Sequence, residues 1–266
     1  MSVPEDITAW PDRLESAAKG TIFDRIVVLS ETASTQDAAA RACIGLPKDH
    51  PATLVVASNQ TMGRGQRANN WHDAVGLTLP SSFAIGSEFL SLNNPNLAAR
   101  AGLAALDTVQ HFANDYPIKI KWPNDILATK DENFGGKIAG VLIEHSRDSI
   151  VIGIGINCLQ TEADLHPSIK DTAISLKQLG CDVQRIDLAC KLIESLNHWF
   201  NDATEDHIRQ HWKQHDALVG LDKKFIYNNQ PTTGTVLSID PLKEIRVQTS
   251  AGERTLPVEQ TRLISK

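Results

Sequence analysis

The sequence predicts an α+β domain followed by a small all-β domain, and three observations carry that prediction. Apolar runs rich in β-branched residues alternate with helical patterns as far as His215. GKIAGVLIEH (136–145) and SIVIGIGIN (149–157), separated by Ser146-Arg147-Asp148, read as a β-hairpin. Beyond Gly220 come only KFIYN, TGTVLSID, EIRVQTS and a stretch around Arg254 to Leu256, short strands split by turn residues at the spacing of a small β-barrel. The expected division is a leader over 1–20, a main domain over 21–216 and a barrel over 217–266.

Each element of the main domain has its own warrant. The leader is expected to pack on, or dangle from, the rest. IFDRIVVLS (Ile22 to Ser30) is a strand by its β-branched content. Ser34-Thr35-Gln36-Asp37 matches an S-x-x-D capping box and opens an alanine-rich helix to about Cys43. Thr53 to Ser58 is a second buried strand, and Leu77 to Phe83 a third, which Pro80 assigns to an edge or a bulge. Leu103, Leu106, Val109 and Ala113 share one face of a helix from Asn96 to about Ala113. Ile118 to Trp122 is a short strand ended by Pro123, and two helices follow the hairpin, at Thr172–Leu179 and Asp187–His215.

Composition narrows the function class. With 41% hydrophobic and 22% charged residues in 266, the chain has the makeup of a soluble protein with a sizeable core. A net charge of -6 argues against a nucleic-acid backbone as main partner. No stretch approaches the roughly 20 apolar residues of a membrane span. The opening MSVPEDITAWPDRLES is acidic and lacks the pattern of a secretory signal. Cys43, Cys158, Cys181 and Cys190 form no C-x-x-C pair, so neither zinc nor redox chemistry is indicated, and a cytoplasmic enzyme is expected.

Four segments carry chemistry. Gln60-Thr61-Met62-Gly63-Arg64-Gly65-Gln66-Arg67 is a glycine–arginine loop whose backbone N–H groups can turn toward an anion, with Arg64 and Arg67 as fixed donors and Trp71 as a flat face for an adenine. Taken alone, a plain polar loop with turn glycines is the favoured reading, and it is no Walker A loop. Lys121-Trp122-Pro123-Asn124-Asp125 gathers a cation, an amide and a carboxylate at a strand end; a capped turn is the competing reading. Gly135-Gly136-Lys137 sets a lysine at the start of a buried strand, where it can neutralise charge on phosphorus. Gly153-Ile154-Gly155-Ile156-Asn157 strips one strand face of side chains, suiting either a flat ligand or a close sheet–helix contact. His207, His211 and His215 share a helix face, but without H-E-x-x-H they read as solvated rather than metal-binding.

In this order and at these separations, Q-x-x-G-R-G-x-R, Trp71, K-W-P-N-D, G-K-I-A-G-V-L-I-E and G-I-G-I-N resemble the biotin–protein ligase family, over roughly Ser34 to Asn157. His211 to Asp216 resembles that family's entry to its C-terminal barrel. The resemblance implies a class II aminoacyl-tRNA synthetase-like, biotin/lipoate-ligase mixed sheet flanked by helices, then a small SH3-like barrel. It implies biotin as substrate, ATP and Mg²⁺ as cofactors, and a biotin carboxyl carrier protein of acetyl-CoA carboxylase as acceptor. Ser34, Thr35, Gln60, Gly63, Arg64, Gly65, Lys137, Gly140, Gly153 and Gly155 match the biotin site. Arg67, Trp71, Lys121, Asn124 and Asn157 match the nucleotide site, and Lys137, Arg64, Arg67 and Asp125 the catalytic set. Mg²⁺ comes with the ATP phosphates, Asp125 being the one carboxylate offered to it. A lipoate or octanoate ligase and a non-enzymatic biotin-binding paralogue are the alternatives. K-W-P-N-D and G-I-G-I-N weigh against the first; Lys137, Asp125 and Arg64 together weigh against the second.

Two departures stand out. Where the family loop reads G-R-G-R-R-G-R, Gln66, Ala68 and Asn69 stand here, removing two positive charges that would hold an anionic intermediate. About twenty residues precede the first strand, too few for the winged helix of the repressor members, so DNA binding by that route is not expected. The sheet edge leaves pairing with a carrier or a second copy of the chain, as a homodimer, open.

Overall fold

A computed structural model describes residues 7–66, 69–88, 94–128, 135–146 and 149–264. The main domain is built on a seven-stranded mixed sheet in the order β1-β2-β3-β7-β6-β5-β4. Its strands are β1 (Phe23–Thr32), β2 (Ala52–Gln60), β3 (Thr78–Gly86), β4 (Ile118–Lys121), β5 (Asp125–Ala128), β6 (Lys137–His145) and β7 (Ser149–Asn157). Only β1 and β2 run parallel, joined over the sheet by α2 (Thr35–Ala42). Helices α1 (Trp10–Ala18), α3 (Asn94–Phe112), α4 (Arg185–Asn197) and α5 (Glu205–His215) complete the domain. No helix among the described residues is long and apolar enough to cross a membrane.

Strand alternation sorts the core into two layers. Leu54 and Val56 of β2, with Ile150, Ile152, Ile154 and Ile156 of β7, join the main cluster with α1, α3 and α4. Val55, Ala84 and Val151 face the other way, onto Ala39 and Cys43. On that second face β7 continues from Val151 to Gly153 and Gly155, so the strand turns from a packed surface to a bare one along its length.

Of the two arrangements expected for the leader, packing is the one found: it contributes α1, whose Trp10 and Leu14 are fully buried against the core; each such side chain is worth about 1.5–3 kcal/mol. Several other expectations are corrected. β3 is an inner strand, not an edge: Pro80 lies just beyond Ser81, where pairing with β2 stops, while the ladder to β7 runs on through Gly155. K-W-P-N-D is the turn of a β4–β5 hairpin, with a cis Trp122–Pro123 bond, and β5 was not foreseen. Thr172–Leu179 is not helical, because Lys137 takes Thr172 and Ile174 as backbone partners and draws the segment alongside β6. The single helix expected over Asp187–His215 is two, α5 restarting where the Thr204 hydroxyl accepts the His207 N–H as N-cap. The α5 histidines are half-buried rather than solvated: His211 bonds Asp107 at 2.8 Å and His207 packs on Trp199.

The C-terminal domain is a five-stranded antiparallel sheet, consistent with an SH3-like fold, in the order β11-β10-β9-β8-β12. The strands are β8 (Asp222–Tyr227), β9 (Gln230–Asp240), β10 (Glu244–Thr249), β11 (Gly252–Pro257) and β12 (Thr261–Ile264). Asp216 marks the junction: it accepts the Trp212 indole N–H and the backbone N–H groups of Leu218 and Val219. Arg209 reaches Asp240 across the boundary at 3.0 Å.

Candidate active site

Two rows of cross-strand partners make the floor of a hollow on the α2 side of the sheet. Ser82, Gly153 and Leu142 form one; Pro80, Gly155, Gly140 and Asp125 form the next. Glycine on both central strands leaves that second row without side chains between Pro80 and Asp125. The start of α2 walls one end with Ser34, Thr35 and Gln36, and the loop after β2 covers the top.

The closed end is polar and buried. Gln60 Oε1 accepts the backbone N–H and the hydroxyl of Thr35 at 2.8 and 3.1 Å, and Thr35 Oγ1 lies 2.8 Å from Ser82 Oγ. Ser34 is the N-cap by backbone geometry, yet its hydroxyl caps nothing: the expected box is not formed, and Ser34 Oγ is buried without a partner. Such an orphan costs about 1–3 kcal/mol unless a ligand completes it.

At the open end Lys137 Nζ lies 2.5 Å from Asp125 Oδ1, and Lys137 leans across Gly140, where a Cβ would stand 2.8 Å from Nζ. The backbone of Lys137 is fixed from both sides. Its N–H donates to Thr172, and its carbonyl accepts from Ile174 and from Asn157 Nδ2. Trp71 lies over the glycine row, 5.7 Å from the Lys137 ammonium measured to the ring centroid. The indole fills the bed so closely that about 40 Å³ remains in the hollow.

The glycine–arginine loop differs from expectation. The Gly65 N–H bonds Asn69, and Arg64 and Asn70 form an antiparallel bridge, so these amides serve the loop itself. The Arg64 side chain turns away from Lys137: it meets Asp37 with two bonds of 2.8 Å and Glu144 at 2.8 Å. Its guanidinium holds the Asp37 carboxyl below the usual carboxylate range. All three side chains are more than a third exposed. Each pair is then worth at most about 1 kcal/mol, a latch readily released.

Ser34, Thr35, Gln60, Arg64, Gly65, Trp71, Asn124, Lys137, Gly140, Gly153 and Gly155 therefore converge on one hollow. Lys121 and Asp125 line the adjoining recess of about 150 Å³ between Gln66, Trp71 and Leu263. Gly63 stands behind, its carbonyl accepting the Trp71 N–H. Asn157 braces the Lys137 carbonyl and accepts from Gln160, so it acts beneath the site rather than in it. Asn124 donates to the Val141 carbonyl at 2.6 Å, tying the β4–β5 turn to β6. Arg67 lies outside the described residues. Sequence reasoning missed Gln36, Asp37, Ser82 and Glu144. The first two sit inside the segment read only as a cap, and the last two needed the sheet register.

The same family emerges from comparison. Residues 29–159 match the model of the biotin/lipoate A/B protein ligase family. The chain is 31% identical over 198 residues to the biotin–[acetyl-CoA-carboxylase] ligase of Mycobacterium tuberculosis, covering 73% of this chain and 70% of that one. It is 30% identical over 212 residues to the bifunctional ligase/repressor BirA of Bacillus subtilis, where 75% of this chain spans 62% of the relative's length. The fold is like that of the Aquifex aeolicus biotin protein ligase solved with biotin and ATP, at a TM-score of 0.74 and 24% identity over 92% of this chain and all of that one. On the match of motif order, register and sequence, the chain belongs to the biotin/lipoate A/B protein ligase family.

Proposed function

We propose that the protein is a biotin–protein ligase of the cytoplasm. It adenylates biotin with MgATP and passes the acyl group to a lysine of a biotin carboxyl carrier protein. The observation that carries this reading is the glycine-floored hollow. A flat bicyclic head suits the bare row beside Gly153 and Gly155, its polar edge meets the orphaned Ser34 hydroxyl, and a carboxylate-ended tail runs toward Lys137. Four cysteines without disulfides support a reducing compartment, and the net charge of -6 supports a ligase without a DNA partner.

The chemistry follows from the residues. The biotin carboxylate attacks the α-phosphorus of ATP; a P–O bond forms as the bond to pyrophosphate breaks. Two anions must meet, and the Lys137 ammonium at the end of the hollow offsets their repulsion. Mg²⁺, when bound, supplies further charge neutralisation on the phosphate oxygens. Among the described residues no group of three or more His, Cys, Asp and Glu could cage it, and Asp125, beside Lys137, is the carboxylate that would meet it. Arg64, Gly65, Gln66 and Trp71, which line the hollow, shield the acyl adenylate from water. The carrier lysine then attacks the acyl carbon as a neutral amine, AMP leaves, and Asp125 takes or orients the amine proton.

The test is to incubate purified protein with MgATP and biotin, lipoate or octanoate separately, following pyrophosphate release and acyl adenylate. Turnover with biotin alone, cut by roughly 10²- to 10³-fold in Lys137→Ala, is expected. Turnover with lipoate instead would reassign the substrate, and biotin binding without pyrophosphate would reduce the protein to a binding paralogue.

A further inference from the structure

Gln36 is 4% exposed, and the two ends of its carboxamide have different fates. Its Nε2 faces two acceptors, the Leu142 carbonyl at 3.4 Å and Glu144 Oε2 at 3.2 Å. Both require a donor, and this settles which end is nitrogen. Oε1 must then point the other way, and it is buried without a partner. It points at the hollow's floor: a Cβ on Gly153 would stand 3.0 Å from Gln36 Oε1 and 3.3 Å from Ser82 Oγ. The polar neighbours do not complete it. Thr35 and Gln60 bond one another, and the Ser34 hydroxyl is itself unpaired. The closed end of the hollow thus presents a fixed acceptor and a free hydroxyl, which together suit a ligand carrying an N–H beside a carbonyl.

The Nε2 end leads out of the hollow. The Glu144 oxygen that accepts from Gln36 also accepts from Arg64 Nη2 at 2.8 Å, and Arg64 holds Asp37, the residue after Gln36. One amide therefore joins the floor of the hollow to the latch of the loop that covers it.

We propose that Gln36 is a specificity-determining residue: its Oε1 accepts a ring N–H of the ligand's head group, and its Nε2, through Glu144, couples that contact to the Arg64 latch. The first half rests on the biotin reading above, because the ureido ring is the N–H-bearing head. A dithiolane or a hydrocarbon has no donor to offer Oε1 and leaves it orphaned. Discrimination built on an unmatched buried polar group is the stronger kind.

The experiment compares the full-length protein with Gln36→Met, which keeps side-chain length but neither hydrogen bond, and Gln36→Glu, which keeps an acceptor but loses the donor to Glu144. Adenylation is measured with biotin and with a biotin whose ureido nitrogens are methylated, and trypsin cleavage after Arg64 reports the latch. Parent protein is expected to favour biotin over the methylated form by roughly 10- to 100-fold in kcat/KM. Gln36→Met should raise KM for biotin by a similar factor with little change in kcat, lose most of that preference, and be cut faster at Arg64. Gln36→Glu should keep the preference and still be cut faster. If Gln36→Met does not fold, the Gln36→Glu pattern decides alone. Failure of the parent to turn over biotin would sink the ligase reading itself. A parent that turns over biotin, with variants matching its KM and preference, would overturn the role of Gln36 and leave that reading standing.

Discussion

The indole of Trp71 rests on Gly155 so closely that a Cβ at that glycine would stand 2.5 Å from Cε2 and 2.6 Å from Cζ2 of the ring. Trp71 therefore lies where the head and tail of biotin are proposed to lie, and ligand binding has to move it. The other four tryptophans are buried at 6% exposure or less, so Trp71 is the one whose surroundings change. Biotin is expected to alter the intrinsic fluorescence, and Trp71→Phe to abolish that change while leaving the melting curve in place. Gly155→Ala raises the floor of the bed and should weaken biotin binding at least about tenfold, the effect of one misplaced methyl in a close-packed site. Unaltered affinity in Gly155→Ala would place biotin elsewhere.

Lys137 and Asp125 meet at 2.5 Å, yet they are assigned to different steps, and the two half-reactions can separate them. Removing Lys137 takes away the charge that meets the incoming anions. Lys137→Ala should cut adenylation by roughly 10²- to 10³-fold, as loss of one preorganised electrostatic donor does. Asp125→Asn keeps a hydrogen-bond partner for the ammonium and should spare adenylation relative to transfer. Single-turnover transfer of preformed adenylate to a carrier is the discriminating measurement. Equal losses in both steps for Asp125→Asn would mean that the carboxylate acts only by holding Lys137.

Much of this was legible beforehand, and the part that was not has a common cause. Alternation and glycine spacing in 136–157 announce both the hairpin and its bare face, because strand periodicity is a local property. The contacts of Arg64 are not local: its carboxylates come from 27 residues before and 80 after. Ser82 becomes a site residue only because β3 pairs with β7 at Gly153. Arg185, which no local pattern singles out, is fully buried, donating to the Ser58 and Thr78 carbonyls and packing on Trp10. A four-residue strand after a proline, and a helix break marked by one threonine, fall below what periodicity can resolve.

Asp73 supplies a pH dependence of stability. Both its oxygens are buried, and burial pushes its pKa up to about 7 against the pull of the Gln60 backbone and the Arg185 charge. The folded state thus holds a proton that the unfolded state releases near pH 4, so stability falls as pH rises from about 4 to 7 and the full penalty applies above that. Asp73→Asn removes the charge and should gain stability, by about 2–4 kcal/mol at pH 8.5 and by progressively less toward pH 4. Thermal or urea melts of both proteins across that range check it. A gain that does not vary with pH would mean that Asp73 is not the group responsible.

Gln66 concerns how long the intermediate is kept. It lines the hollow together with Asn124 and Lys137, and it stands at a position where the resembling family carries arginine. Asn69, whose carbonyl closes the loop onto the Gly65 N–H, stands where a second basic residue is usual. The acyl adenylate keeps a negative phosphate, and with Arg64 latched to Asp37 and Glu144, Lys137 is the other described cation that lines the hollow. A charge-assisted hydrogen bond is worth about 1.5–3 kcal/mol, so Gln66→Arg should slow release of biotinyl adenylate roughly 10- to 100-fold. The check is a chase: adenylate is formed with labelled biotin, excess unlabelled biotinyl adenylate is added, and loss of label from the protein is timed. The parent should lose label quickly and modify free lysine-bearing proteins added in the chase. If parent and Gln66→Arg release at the same rate, retention depends on loop closure rather than on the missing charge.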